Sequence, residues 1–271
     1  MKTILCMLPG VLGFSMVAAQ PLFTGSYVPL SAGVYSTGFR TPFDFLSNTA
    51  SLADGETSAG LYASNRYMLK ELAAYTAAAT LPVAAGGIGL AMHYTGTSTN
   101  YNELQWALAY GKSLGRVQVG AGVGYTIIRI PGYVSSGAVS YSIGTVWRLT
   151  RAFHSGLQVS NLFSRRSDQP EKQPVAWSVG AGYAWSEKLL LSGIITKEEF
   201  KPVQAQVTLQ YVIQDCFVAG VGMMMETASP WLSLGWQWKN WQALVTAAFH
   251  PQLGATPGLA VVFRGERGKE K

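Results

Sequence analysis

The amino-acid sequence predicts an all-β protein: a transmembrane, antiparallel, up-and-down β-barrel of about 14 strands with an N-terminal plug segment. Three observations carry that expectation. The chain opens like an export signal, apolar and polar residues then alternate with period two, and the connections alternate between short and long.

The opening segment is read first. Lys2 supplies a positive start, Ile4 to Met16 is an uncharged apolar run, and Val17-Ala18-Ala19 offers small residues where a leader is cut. Residues 1–19 are therefore expected to be a signal peptide, too short to span a bilayer as a helix. With Cys6 inside that leader, Cys216 is the single cysteine of the mature chain, so an internal disulfide is excluded.

Composition then narrows the class. Charged residues are 13% of the chain, against about a quarter in soluble domains, while 30 Gly and 8 Trp are present. Beyond the leader there is no unbroken apolar stretch of roughly twenty residues, so helical spans are not expected. Apolar on average yet interrupted everywhere by polar residues is the pattern of strands that face lipid and lumen by turns. The net charge of +6 sits largely in apparent turns and in the polar tail 265–271, and no basic motif points to nucleic acid.

Residues 20–56 lack alternation and carry Pro21, Pro29 and Pro42 with the apolar stretch Phe39-Arg-Thr-Pro-Phe-Asp-Phe-Leu46. They are expected to form an irregular, partly helical plug in the lumen or at the periplasmic mouth, since a barrel this wide has room for one. The barrel itself is expected over 57–264. Val117-Gln-Val-Gly-Ala-Gly-Val-Gly-Tyr-Thr-Ile127, Trp177 to Trp185, Ala205 to Tyr211 and Leu232 to Trp238 show the period-two rows most cleanly. Marking the breaks places strands near 57–65, 70–80, 86–96, 101–112, 116–129, 135–148, 152–162, 175–185, 188–197, 203–213, 216–226, 230–238, 241–250 and 256–264.

Every second connection is short: Leu81–Ala85, Lys112–Arg116, Arg148–Arg151, Ser186–Lys188, Gln214-Asp215 and Lys239-Asn240. The others, including Phe163–Pro174 and Pro251–Thr256, are mostly longer and richer in Pro, Gly and charge. Short periplasmic turns and longer outer loops have that parity, and an even strand number returns the C-terminus to the periplasm. Tyr110, Trp147, Trp185, Tyr211, Trp236 and Trp238 each fall just before a short turn, where an interfacial aromatic girdle would lie.

Catalytic and metal chemistry find no support. His93, His154 and His250 are scattered without ligand spacing, and there is no G-x-S-x-G elbow. Gly86-Gly-Ile-Gly89 and Gly120-Ala-Gly-Val-Gly124 lie inside alternating strands with no helix after them, so they read as small positions for close packing. The chain is read as a non-enzyme without metal or cofactor.

The order of short motifs adds a resemblance. Ser47-Asn-Thr-Ala-Ser-Leu-Ala53 is followed by Gly60-Leu-Tyr, Arg66-Tyr-Met-Leu-Lys-Glu-Leu72, Leu81-Pro-Val-Ala-Ala-Gly-Gly-Ile-Gly-Leu90 and Tyr101-Asn-Glu-Leu. This resembles the FadL-like outer-membrane barrels, and within them the PorV/PorQ group linked to type IX secretion. Asn48-Thr49-Ala50 departs from that group's Asn-Pro-Ala plug motif at its middle position. The resemblance implies a bacterial outer-membrane protein in contact with lipid, and a non-enzymatic adaptor for secretion-channel components or secreted cargo. Arg165, Arg166, Asp168, Glu171, Lys172 and Trp231 would be its partner-facing outer residues. The alternative it implies is a passive carrier of a hydrophobic small molecule, with Phe39, Phe43, Phe45, Leu46, Asn48, Thr49 and Ala50 forming the plug or lining a ligand path.

Overall fold

A strand that is apolar on alternate residues must bury one face and offer the other to something apolar, and a sheet in lipid must leave no unpaired edge. The chain meets both demands by closing on itself. The computed structural model describes residues 30–97, 101–132, 134–166 and 174–265. Fourteen strands run in chain order: β1 (Ser58–Asn65), β2 (Ala73–Val83), β3 (Gly86–Thr97), β4 (Tyr101–Leu114), β5 (Val117–Ile130), β6 (Val134–Arg148), β7 (Phe153–Arg166), β8 (Ala176–Ser186), β9 (Leu189–Glu198), β10 (Val203–Ile213), β11 (Phe217–Met224), β12 (Ser229–Trp238), β13 (Trp241–His250) and β14 (Gly254–Arg264). Each pairs antiparallel with its chain neighbours, and β1 closes the barrel against β14 from Ser58↔Arg264 to Ser64↔Gly258.

Alternation decides what faces where. Leu61, Tyr75, Leu90, Leu108, Val123, Ile143, Val179, Leu191, Ile195, Leu209, Val221, Leu234, Val245 and Leu259 all point out and are exposed, while their neighbours in sequence are turned inward. Tyr110, Trp147, Trp185, Tyr211, Trp236 and Trp238 are exposed on the outer face at the tight-turn end, joined there by Trp241. That apolar skin, aromatic at its rim, needs a bilayer around it.

The expected strands are present, with local corrections. The strand expected from residue 70 begins at Ala73, because Arg66–Met68 and Lys70–Leu72 coil into two short 3₁₀ turns. Tyr67 and Met68 there hold left-handed φ values of 55° and 57°, which turn the chain out of the sheet. At the other end β2 runs through Pro82 to Val83, so Leu81–Val83 is strand and only Ala84-Ala85 make the turn. β7 extends four residues past the expected 162, after a bulge where Asn161 takes φ 62°. The expected leader, residues 20–29 and most of the polar tail lie outside the described residues.

Residues 30–57 run inside the barrel. They contain one short α-helix, α1 (Asp44–Ser47), and a six-residue 3₁₀ turn, Thr49–Asp54. Leu30, Phe43, Phe45 and Leu52 pack with wall residues Tyr62, Ala78, Ala91, Ala109, Leu244, Ala260 and Val262 into one buried apolar cluster. Val34, Tyr35 and Ala50 form a second with Val146.

Candidate functional site: the lumen and its N-terminal segment

The barrel wall admits the segment because its inward-facing positions are small. A Cβ on Gly120 would collide with the backbone of Thr49 and Ala50, one on Gly87 with the Leu52 carbonyl, and one on Gly182 with the Tyr35 carbonyl. The glycine runs of β3 and β5 are thus the surfaces on which the segment rests.

Polar contacts fix its position. Asn48 Oδ1 accepts from the Ala50 N–H at 3.0 Å and caps the 3₁₀ turn, while its Nδ2 donates to the wall carbonyls of Thr145 (3.2 Å) and Leu157 (3.4 Å). The Thr49 N–H donates to Gln158 Oε1 at 3.2 Å. An acidic side chain closes the arrangement: Asp54 is paired with Arg40 of the segment and Arg148 of β6, and also accepts from Gln118 Nε2 at 2.8 Å. Arg40 Nη1 further donates to the Ser51 carbonyl at 3.1 Å, so one guanidinium binds two turns of the segment together.

Asp44 is the unusual charge. It is buried, its carboxylate accepting from the Thr41 N–H at 2.8 Å. Burial pushes its carboxyl up to about 7, against the Thr41 N–H and the nearby Arg40 guanidinium, which both pull it down. Burial likewise raises the Tyr35 hydroxyl, against a hydrogen bond from Asn48. Beside Asp44 a crevice lined by Arg40, Glu56, Thr80, Gly87 and Arg264 runs between the segment and the wall at the tight-turn end.

Towards the loop end the lumen is lined by polar side chains. His93 is fully buried, one ring nitrogen 2.9 Å from Thr76 Oγ1 and the other 2.7 Å from Thr95 Oγ1. Glu103 accepts from the Tyr101 hydroxyl at 2.6 Å and from Gln105 Nε2 at 2.9 Å. No group of three or more His, Cys, Asp and Glu side chains converges in a metal-holding arrangement among the described residues.

Of the residues singled out in the sequence, Phe43 and Phe45 meet in the first apolar cluster with Leu46 packed against it, and Phe39 is buried. Asn48, Thr49 and Ala50 meet the wall at β5, β6 and β7. Arg165 and Arg166 end β7, and Asp168, Glu171 and Lys172 lie outside the described residues. Trp231 is a correction: it belongs to β12 and points into the lumen at 2% exposure, not out at a rim. Its inward row, Trp231, Ser233, Gly235 and Gln237, has the parity opposite to Trp236 and Trp238, a signal that was present in the sequence. Asp54, Arg148, Gln118 and Gln158 gave no such signal, because partners such as Asp54 and Arg148 are 94 residues apart.

Neither a protein-family model nor a curated protein sequence matches the chain. Solved structures do. The Pseudomonas putida toluene transporter TodX is similar with a TM-score of 0.55 and 7% identity, over 82% of this chain and 93% of that one. The CymD monoaromatic hydrocarbon channel is similar with a TM-score of 0.55 and 10% identity, over 87% and 96%. The Acinetobacter baumannii outer membrane protein Omp33 follows at 0.52 and 8%, over 78% and 98%. What these share with the chain is the fold, the closed barrel of the bacterial outer membrane.

Proposed function

We propose that the protein is a passive outer-membrane transporter for a small, mainly hydrophobic molecule, and that residues 30–57 are its gate. The observation that carries this reading is how the segment is held. It fills the tight-turn half of the lumen through noncovalent contacts, and a small crevice beside Asp44, lined by both polar and apolar side chains, lies between it and the wall at that end. The segment is held by one acidic latch, hydrogen bonds and two apolar clusters, with no covalent cross-link to the wall, so it is able to shift as a unit.

Two further points support it. TodX and CymD, whose barrels this one resembles, are described as a toluene transporter and a monoaromatic hydrocarbon channel. In addition, the wall loses regular register where β6 meets β7, with shifts between Val139, Tyr141 and Ile143 and a bulge at Asn161, an irregularity of the kind that lets a strand bend away from its neighbour. The secretion-adaptor expectation draws support from neither the fold nor the comparisons.

Uptake decides the question. Cells of a Gram-negative host producing the barrel should take up labelled toluene at low concentration several-fold faster than cells producing none. A folded, heat-modifiable barrel in the outer membrane with no gain in uptake would defeat the proposal.

A further inference from the structure

Seven of the eight tryptophans, Trp106, Trp147, Trp177, Trp185, Trp236, Trp238 and Trp241, are exposed on the outer face or its rim, and Trp231 alone points inward. It lies outside both apolar clusters of the N-terminal segment. Its indole is seated on glycines of β11. A Cβ on Gly222 would fall 2.5 Å from Cε2 and 2.6 Å from Nε1, so any side chain there would displace the ring. A Cβ on Gly220, two residues earlier, would fall 2.5 Å from Ser233 Oγ, 3.5 Å from Trp231 Cζ3 and 3.6 Å from Gln210 Cγ, so Ser233 and Gln210 share the inner face with the indole.

Both polar ends of this patch lack a hydrogen-bond partner: Trp231 Nε1, on a side chain 2% exposed, and Gln210 Oε1, on one 8% exposed. Buried indole N–H groups and amide oxygens ordinarily find partners, and leaving one unmade is destabilising. The patch thus sets an unpartnered donor and an unpartnered acceptor on one inner face of the wall, with an aromatic ring between glycines.

We propose that the inner face of β10–β12 is a ligand subsite for a hydroxylated monoaromatic molecule of the phenol class. The ring would lie against the Trp231 indole and its hydroxyl, both donor and acceptor, would engage Trp231 Nε1 or Gln210 Oε1. The proposal rests on the transport reading and narrows its substrate class. A plain hydrocarbon would bury the same ring area and leave both polar atoms unmade.

The test compares p-cresol with toluene, which differ by one hydroxyl, in equilibrium dialysis of the detergent-solubilised barrel against empty micelles. The wild-type protein should retain p-cresol about three- to tenfold better than toluene after micelle partitioning is subtracted, the range that one neutral hydrogen bond represents. That preference should collapse towards one in Trp231→Phe, which keeps an aromatic ring without the N–H, and shrink in Gln210→Met. It should persist in Trp106→Phe on the outer face. Toluene retained without any preference for p-cresol, or a preference that survives Trp231→Phe, overturns the subsite alone and means that water serves the two atoms. Neither compound retained above the micelle blank overturns the transport reading with it.

Discussion

Asp44 shows how one residue makes the seat of the segment depend on pH. Its carboxyl is raised from 3.8 to about 7 because burial strips it of water, so it binds its proton more tightly in place than it would in a released segment. The sign follows: the contribution of Asp44 to holding the segment is complete below about pH 4 and is lost as pH rises towards 7, at most about 1.4 kcal/mol per pH unit. Hydrogen exchange of residues 30–57, corrected for intrinsic rate, should therefore show weaker protection at pH 8 than at pH 5. Asp44→Asn should abolish the difference, and a pH-independent wild-type protein would show that Asp44 ionises in place without loss.

At the scale of elements, the N-terminal segment and the glycine rows of β3 and β5 form one fitted joint. Gly120→Val should leave β5 intact, since Val suits a strand, but drive its side chain into the Thr49–Ala50 backbone. Overpacking of that kind costs about 1–3 kcal/mol and should displace the segment before it disturbs the barrel. Trypsin should then cut the native barrel at Arg40, which the wild-type protein shields, and persistent resistance in the variant would mean the joint can yield. The strands were legible in the sequence because period two marks both faces of a wall between lipid and lumen. Val117 to Ile127 could be assigned residue by residue. The joint was legible only as small residues inside β3 and β5. Which part of the segment met them depended on long-range partners such as Asn48 with Thr145 and Leu157, and no local periodicity encodes those. Pro82 departs from the expected turn for a related reason: proline usually ends a strand, yet here it sits one residue from the turn, where the ladder is about to stop.

For the molecule as a whole, the parity of its connections fixes an orientation in the membrane. Cys216 lies just before β11, in the connection from β10 at the tight-turn end, with a free and partly exposed thiol. A chain that enters β1 from the periplasm puts that end inside the cell envelope. A membrane-impermeant maleimide should leave Cys216 unmodified in intact cells and label it once the outer membrane is opened. A cysteine introduced as Gly132→Cys, at the opposite end between β5 and β6, should be labelled already in intact cells. Labelling of Cys216 in intact cells would invert the barrel.

The order of strands around the wall is also their order in the chain, so thirteen of the pairings join strands that follow one another and a single seam joins β1 to β14. Hairpins can therefore form one after another at little cost in loop entropy, while β1 must wait for β14. That last seam is short, seven residues from Ser58↔Arg264 to Ser64↔Gly258. Until it is made, both terminal strands carry unpaired backbone that hydrocarbon will not tolerate. The β1–β14 seam is thus the one pairing that no hairpin between neighbouring strands templates, and the wall is closed only once those two strands have met.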